Sequence, residues 1–221
     1  MIRFESPKVT ADVVLFSIYN DNLQMLLVKR KNPPFRGQWA LPGGFLERKE
    51  SLLAAARREL FEETGVRHLY LEQLYTFGDP GRDPRGRVVT VAYFALVPSP
   101  LSVSAGSDAR EAKWWPAGGL PKLAFDHKRI IECALTRLRA KLEYTNVAWS
   151  LLPKKFALTD LQKVYELVSG KELDKRNFRK KILSLGLLRP LKERRTGAHQ
   201  RPARLYAFKT KKKVELKRFF K

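Results

Sequence analysis

The residues best able to do chemistry in this sequence are three glutamates close together in one segment. Residues 44–66 read GFLERKESLLAAARRELFEETGV. A helix turns about 100° per residue, so with Glu59 as origin Glu62 falls near about −60° and Glu63 near about +40°. Leu53, Ala56, Leu60 and Thr64 fill the adjoining arc and are expected to face a core. Three carboxylates this close repel one another unless a cation neutralises them. A hard divalent cation such as Mg²⁺ does so, because it takes oxygen ligands and tolerates retained waters. Arg58, four residues before Glu62, can orient a carboxylate from outside the metal's own ligands. Gly43-Gly44 lets the backbone come close, and the Gly44 carbonyl is a candidate further ligand. A solvated helix of mixed charge is the alternative reading of a lone glutamate pair.

The spacing favours the metal. Gly44, Glu50, Arg58, Glu59, Leu60, Glu62, Glu63, Gly65 and Val66 fall at the positions of the Nudix box, which this segment resembles without departure. The resemblance implies an α/β/α sandwich around a mixed sheet. It also implies hydrolysis of nucleoside diphosphates linked to another moiety, with Mg²⁺ or Mn²⁺. Glu59, Glu62 and Glu63 would hold the metal, and Glu50 would sit at the edge of the site. The general base of this family often lies in a later loop; Asp108 and Glu111, in SDAREAKW, are the candidates, with loop solvation as the alternative for each.

Between two strand-like stretches lies GDPGRDPRGR, a stiff cationic loop. Arg82, Arg85 and Arg87 can clamp phosphate or ribose, since a guanidinium fork suits both; a solvated hairpin loop is the other reading. Nudix enzymes acting on ADP-ribose often carry a proline about this far past the box, and Pro80 lies near that position.

These groups need elements to position them. Val9–Ile18 and Leu23–Lys29 read as strands joined by a turn at Asn20-Asp21-Asn22. Residues 33–44 read as a loop, and Ser51–Thr64 as a helix closed by Gly65. Leu69–Phe77 and Arg87–Val97 read as strands. Phe125–Leu142 has the apolar spacing of a helix. Glu143–Pro153, containing Trp149, reads as a linker.

The chain has 221 residues, 44 Lys and Arg against 22 Asp and Glu, and a formal charge of +22. That length buries a substantial core. Its 44% hydrophobic and 11% aromatic content fits a folded globular protein. The single cysteine, Cys133, excludes a disulfide framework and suits a reducing compartment. No apolar run nears the ~20 residues of a membrane helix. With no leader-like start, a cytoplasmic location is expected. The excess charge is lopsided. Residues 151–221 carry 22 Lys and Arg against only 6 Asp and Glu, which suggests two modules with different work and a polyanionic partner for the second.

In that second module, Thr159 with Gln162 reads as a capping box opening a helix that runs to Gly170. Asp174 caps another, Lys175–Leu185. It exposes Lys175, Arg176, Arg179 and Lys180 while Phe178, Ile182 and Leu185 face inward. Leu187–Glu193 and Arg204–Phe208 then read as strands around RRTGAHQRPA. Helix, turn, basic helix and basic hairpin is the order of a winged helix-turn-helix. Most of its cations, including Arg194, Arg195 and Arg201, would grip phosphates. Arg176 and Asn177, at the start of the second helix, are better placed to reach base edges. A helical lid with a basic surface is the plainer alternative.

Together with LAFDH at 123–127, LLPKKFALTDLQKVYE at 151–166 and LDKRNFRKK at 173–181, the whole chain resembles the bacterial Nudix-related transcriptional regulators. The resemblance implies a Nudix domain over residues 1–145 that senses ADP-ribose or a related nucleotide. It implies a winged-helix domain over 146–221 on operator DNA, a homodimer, and control of NAD-synthesis or sugar-use genes. Many such regulators have a degraded box. Here every position is present, so retained hydrolysis of an ADP-ribose-type diphosphate is expected. The competing reading is a hydrolase whose basic domain dimerises or binds RNA. A membrane surface is disfavoured because no basic helix carries a large apolar face.

Overall fold

The computed structural model describes residues 6–65, 70–98, 109–197, 200–210 and 212–216, with the side chains of residues 63, 64, 109, 110, 197, 200 and 201 outside that set. The first module is built on a mixed sheet. Strands β1 (Lys8–Tyr19) and β2 (Asn22–Arg30) form a hairpin. Its two-residue turn, Asn20-Asp21, has φ of 45° and 60°, the left-handed pair that Asn and Asp tolerate and that suits strand twist. The strand order is β3 (Trp39–Ala40), β2, β1, β6 (Val88–Leu96), β5 (Tyr70–Phe77), with β4 (Gly43–Phe45) pairing β1 and β7 (Ala109–Pro116) pairing β2. Only β1 and β6 run parallel; the other described pairs are antiparallel.

Alternation along β1 explains the layers. Ala11, Val13 and Leu15 pack with Ala55, Ala56 and Leu60 of helix α1 (Leu52–Thr64) on one face. Val14 and Phe16 pack with Ile130, Ala134 and Leu138 of helix α2 (His127–Tyr144) on the other. Successive strand side chains point to opposite faces, so a strand apolar throughout needs a helix on each side. The result is the expected α/β/α sandwich. Ser51 caps α1, its hydroxyl accepting from the Ala54 N–H at 3.2 Å. Gly65, at φ 73°, closes it.

The structure departs from the sequence reading at several points. The stretch 33–44, read as a loop, holds β3 and the start of β4, because Trp39–Ala40 pair with β2 and Gly43–Phe45 with β1. Leu53 is 37% exposed and Ala55 is buried in its stead, because two adjacent alanines let the helix sit closer to the sheet. The SDAREAKW stretch, read as loop, contributes β7: Glu111 and Lys113 alternate with Ala112 and Trp114 in register with β2, the one-sided pattern of a half-buried strand. Residues 143–153 are not an open linker. Val147–Leu151 form a 3-10 turn, and Val147, Ala148, Leu151 and Leu152 are buried.

One hydrophobic cluster runs from the α2 face of the sheet through this turn into the second module, reaching Leu161, Val164, Tyr165, Phe178, Ile182 and Leu188. That module comprises β8 (Phe156–Ala157), α3 (Leu158–Ser169), α4 (Lys175–Ser184), and the hairpin β9 (Leu188–Gly197) and β10 (Gln200–Phe208), in a sheet of order β8-β10-β9. Helix α3 begins earlier than Thr159 predicts. Ala157 stands at its N-cap, and Asp160 Oδ2 accepts from the Ala157 N–H at 2.9 Å. Asp174 caps α4 as expected, accepting from the Asn177 N–H at 2.7 Å. Among the described residues no helix is long and apolar enough to cross a membrane.

Candidate functional site

Strand β4, helix α1 and the 79–87 loop converge on a pocket of about 370 Å³. Gly44 forms its floor. A Cβ at Gly44 would overlap the Glu59 carboxylate, and one at Gly43 would overlap Asp12 and the Ala11 carbonyl, so the two glycines are required by close approach. Arg58 organises the carboxylates. Its Nη1 donates to Glu59 Oε1 at 2.8 Å and Glu62 Oε2 at 3.2 Å. Its Nε and Nη2 donate to Glu50 at 3.0 and 2.6 Å, and Nη2 also to the Phe45 carbonyl at 3.1 Å. One guanidinium thus ties α1, β4 and the intervening loop together.

Two carboxyls on this same cation shift in opposite directions. The hydrogen bond from Arg58 holds Glu50 below the usual carboxylate range. Burial pushes Glu59 up, against the pull of Arg58. The same bonds hold Arg58 in its charged form. A buried carboxylate with raised proton affinity gains from any further cation. The donors here are all oxygen, which fits Mg²⁺ or Mn²⁺ with several waters kept. Glu59, Glu62 and the Gly44 carbonyl are the donors on offer; the Glu63 side chain lies outside the described residues. Among the described residues no three acidic, His or Cys side chains converge as a metal group by themselves.

The expected phosphate clamps separate. Arg82 lines the pocket but is 4% exposed. It forks onto Asp126 at 2.7 and 3.0 Å, with Asp12 at 3.8 Å. Arg82 is therefore first a buried strut, because Asp126 already occupies its fork. Arg85 also lines the pocket. It forks onto Asp83 at 2.6 Å, and its guanidinium lies over the Phe45 and Phe125 rings at 4.8 and 5.4 Å. Arg87 does not line the pocket; it donates to the Gly78 carbonyl. Glu111 does not line it either. Its strand position pairs it with Lys29, 3.5 Å away and half-exposed. Asp108 lies outside the described residues.

The sequence reading missed much of the pocket wall. Lys29, Arg30, Lys31, Phe45 and Phe125 line the pocket beside Asp12 and His127. His127 Nδ1 accepts from the Leu41 N–H at 2.9 Å, and burial lowers its pKa, so it is neutral with its proton on Nε2, 3.9 Å from Asp12 Oδ1. Asp12 also accepts from Thr90 Oγ1 at 2.6 Å. The available signals were an aspartate inside an apolar strand and the Phe-Asp-His run before α2.

On the second module, Lys175, Arg176, Asn177, Arg179 and Lys180 of α4 are all exposed, as is Arg194 on β9. Among the described residues no carboxylate lies within ion-pair distance of these five cations. Arg195 differs: it forks onto Asp160 at 2.8 and 2.9 Å, tying the hairpin to the start of α3. The side chain of Arg201 lies outside the described residues. A groove of about 710 Å³ between α4, the start of α3 and β10 is lined by Lys175, Arg179, Arg195 and Arg204. Arg204 was missed because it sits inside a strand pattern.

Comparisons agree with this two-part layout. The NUDIX domain model matches residues 8–133, and the NrtR DNA-binding winged helix domain model matches residues 148–208. The chain is 40% identical over 209 residues to the ADPR responsive transcriptional repressor NtrR of Acinetobacter baylyi, covering 93% of this chain and 83% of the relative. Its fold is similar to Shewanella oneidensis NrtR complexed with a 27mer DNA (TM-score 0.80, 41% identity, 91% of this chain and 93% of that one). It is also similar to the Nudix domain of that protein complexed with ADP ribose (TM-score 0.57, 43% identity, 61% and 90%). The chain belongs to the NrtR family, in which a Nudix domain is followed by a winged-helix DNA-binding domain.

Proposed function

We propose that this chain is an ADP-ribose-responsive transcriptional regulator, in which nucleotide occupancy of the Nudix pocket alters the grip of the winged helix on operator DNA. The position of α2 carries this reading. At its first turn Asp126 holds Arg82, and His127 holds the Leu41 backbone, both in the pocket wall. Further along, Arg139 Nε donates to the Val168 carbonyl of α3 at 3.0 Å. Just past its end Asn146 is 1% exposed. It donates to the Lys212 carbonyl at 3.0 Å and accepts from the Val214 N–H at 2.8 Å, so the chain leaving the hairpin is clasped to the same rod. A ligand that moves one end of this rod displaces the other. The reading includes a homodimer matched to a two-fold operator, a cytoplasmic location, and domains that meet at residues 145 and 146.

The intact box favours a second activity on the same site, slow or full hydrolysis of the bound diphosphate. Glu59, Glu62, Glu63 and the Gly44 carbonyl would hold Mg²⁺ or Mn²⁺, which supplies phosphoryl polarisation and a more acidic water when bound. Arg58 would keep Glu50 ionised and fix the carboxylates, while Lys29, Arg30 and Arg85 would take the diphosphate charge at the mouth.

Footprinting on fragments of the host genome, without divalent cation so that the ligand survives, tests the main reading. A protected site is expected, and ADP-ribose should weaken it. Protection at no preferred sequence, or protection indifferent to saturating ADP-ribose, would leave the hydrolase with a non-regulatory basic domain.

A further inference from the structure

The β9–β10 hairpin is tied to the rest of its module by two carboxylates, although its work on DNA calls for positive charge. Asp160, near the start of α3, accepts both ends of the Arg195 fork at 2.8 and 2.9 Å. Its Oδ2 also accepts from the Ala157 N–H, where β8 joins β10. Two residues before Arg195, both oxygens of Glu193 accept from Lys155 Nζ at 2.7 Å. Side-chain exposure runs from 29% at Asp160 to 56% at Glu193, and pairs this exposed add little stability. Each also sets a negative charge beside a surface that must attract a polyanion, which works against binding. Neither stability nor attraction explains them, which leaves geometry.

The pairs sit at a distortion of the hairpin. From the pair Pro190–Tyr206 to the pair Arg194–Arg204, β9 advances four residues while β10 advances two. Extra residues in one strand form a bulge that bends it and re-aims what lies beyond. Glu193 lies in this bulge and Arg195 just past it, so both pins act where the direction of the hairpin is decided. Beyond the bend Arg194 and Arg204 stand directly opposite each other, both exposed. Like charges so placed destabilise a hairpin, and an anion laid across them relieves the repulsion. We propose that Asp160 and Arg195 are positioning residues for operator binding. Their fork, with Lys155 and Glu193 as a second pin, fixes the angle of the wing so that Arg194 and Arg204 meet the phosphate backbone while α4 lies in the major groove. Arg195 thereby acts through the wing and not as a phosphate contact of its own.

The proposal rests on the operator reading, and the test keeps the two apart. Full-length variants are compared by operator titration, hydroxyl-radical footprinting and urea unfolding. Asp160→Asn keeps an oxygen for the Ala157 N–H but loses the charge; Arg195→Lys keeps the charge but loses the fork. Each should weaken operator binding by about tenfold, and the double variant should be no weaker than either single one. Protection flanking the α4 contact should disappear, while the protection by α4 itself and the urea midpoint stay in place. A role in attraction alone predicts the opposite sign: Asp160→Asn binds operator more tightly and Arg195→Lys is unchanged. Either of those results overturns the proposal. Loss of all protection together with a lowered urea midpoint would make the pair a strut of the fold, and overturns it as well. Wild-type protein that protects no preferred site overturns the operator reading, and the positioning role with it.

Discussion

The nucleotide pocket and the α4 surface are both rich in arginine, yet their cations live differently. In and beside the pocket, three arginines are tied to carboxylates of the fold. Arg58 serves Glu50, Glu59 and Glu62; Arg82 serves Asp126; Arg85 serves Asp83. On α4 the cations Lys175, Arg176, Arg179 and Lys180 stand exposed, with no carboxylate partner among the described residues. Committed cations hold geometry and cost stability when removed. Uncommitted ones repel each other, contribute little to the fold, and release counterions when a polyanion arrives. Arg195 lies between these cases: it sits on the hairpin but is spent on Asp160.

The contrast is broken most directly in the pocket. Asp126→Ala leaves the Arg82 guanidinium, 4% exposed, without its fork, and should cost about 3 kcal/mol in urea unfolding. A loss under about 0.5 kcal/mol would mean that Arg82 is not a strut at all. If the box is active, Glu62→Gln should lower metal-dependent ADP-ribose cleavage by about 100-fold or more, since metal-assisted steps supply several kcal/mol; equal turnover would remove the carboxylates from the chemistry.

On the other side, Arg179→Ala should leave urea stability within about 0.5 kcal/mol, weaken all DNA sequences alike, and lower the salt slope by about 1. Arg176→Ala should instead erode preference between sequences. A large stability loss in either would place α4 with the committed cations.

The smallest effect is a pH shift. Arg58 holds the Glu50 carboxyl below its ordinary 4.5, so its contribution to stability is present above 4.5 and is lost as pH falls through the depressed value. Glu59 is raised by burial and works the other way, since acid relieves it. Arg58→Ala removes the first contribution and deepens the second. The pH of maximal stability should therefore move toward acid, read as the urea midpoint at pH 7, pH 5 and about pH 3, the last step covering Glu50. An unmoved optimum would mean that Arg58 does not set these two carboxyls.

What the sequence made legible were features with a fixed period or a fixed spacing: the box, the capping residues Gly65 and Asp174, the sandwich strands, and the basic helix with its hairpin. What it hid were features that depend on distant chain segments meeting. Nothing local says that Arg82 will meet Asp126 across 44 residues, that Arg195 will meet Asp160, or that Phe45 and Phe125 will share one guanidinium. Trp149 and its neighbours looked like a linker because a 3-10 turn has no apolar period to betray it. Asn146 looked like any polar joint residue until its amide was seen to hold the returning chain.

The central claim is that α2 couples the two regions, and coupling must be reciprocal. Fluorescence titration of ADP-ribose into the full-length protein, free and saturated with operator DNA and without divalent cation, measures it directly. The predicted result is weaker ADP-ribose binding in the operator complex by about 5–150-fold, matching the factor by which ADP-ribose weakens operator binding. Identical ADP-ribose affinity in the free and operator-bound protein would contradict the account, leaving pocket and winged helix as independent tenants of one chain.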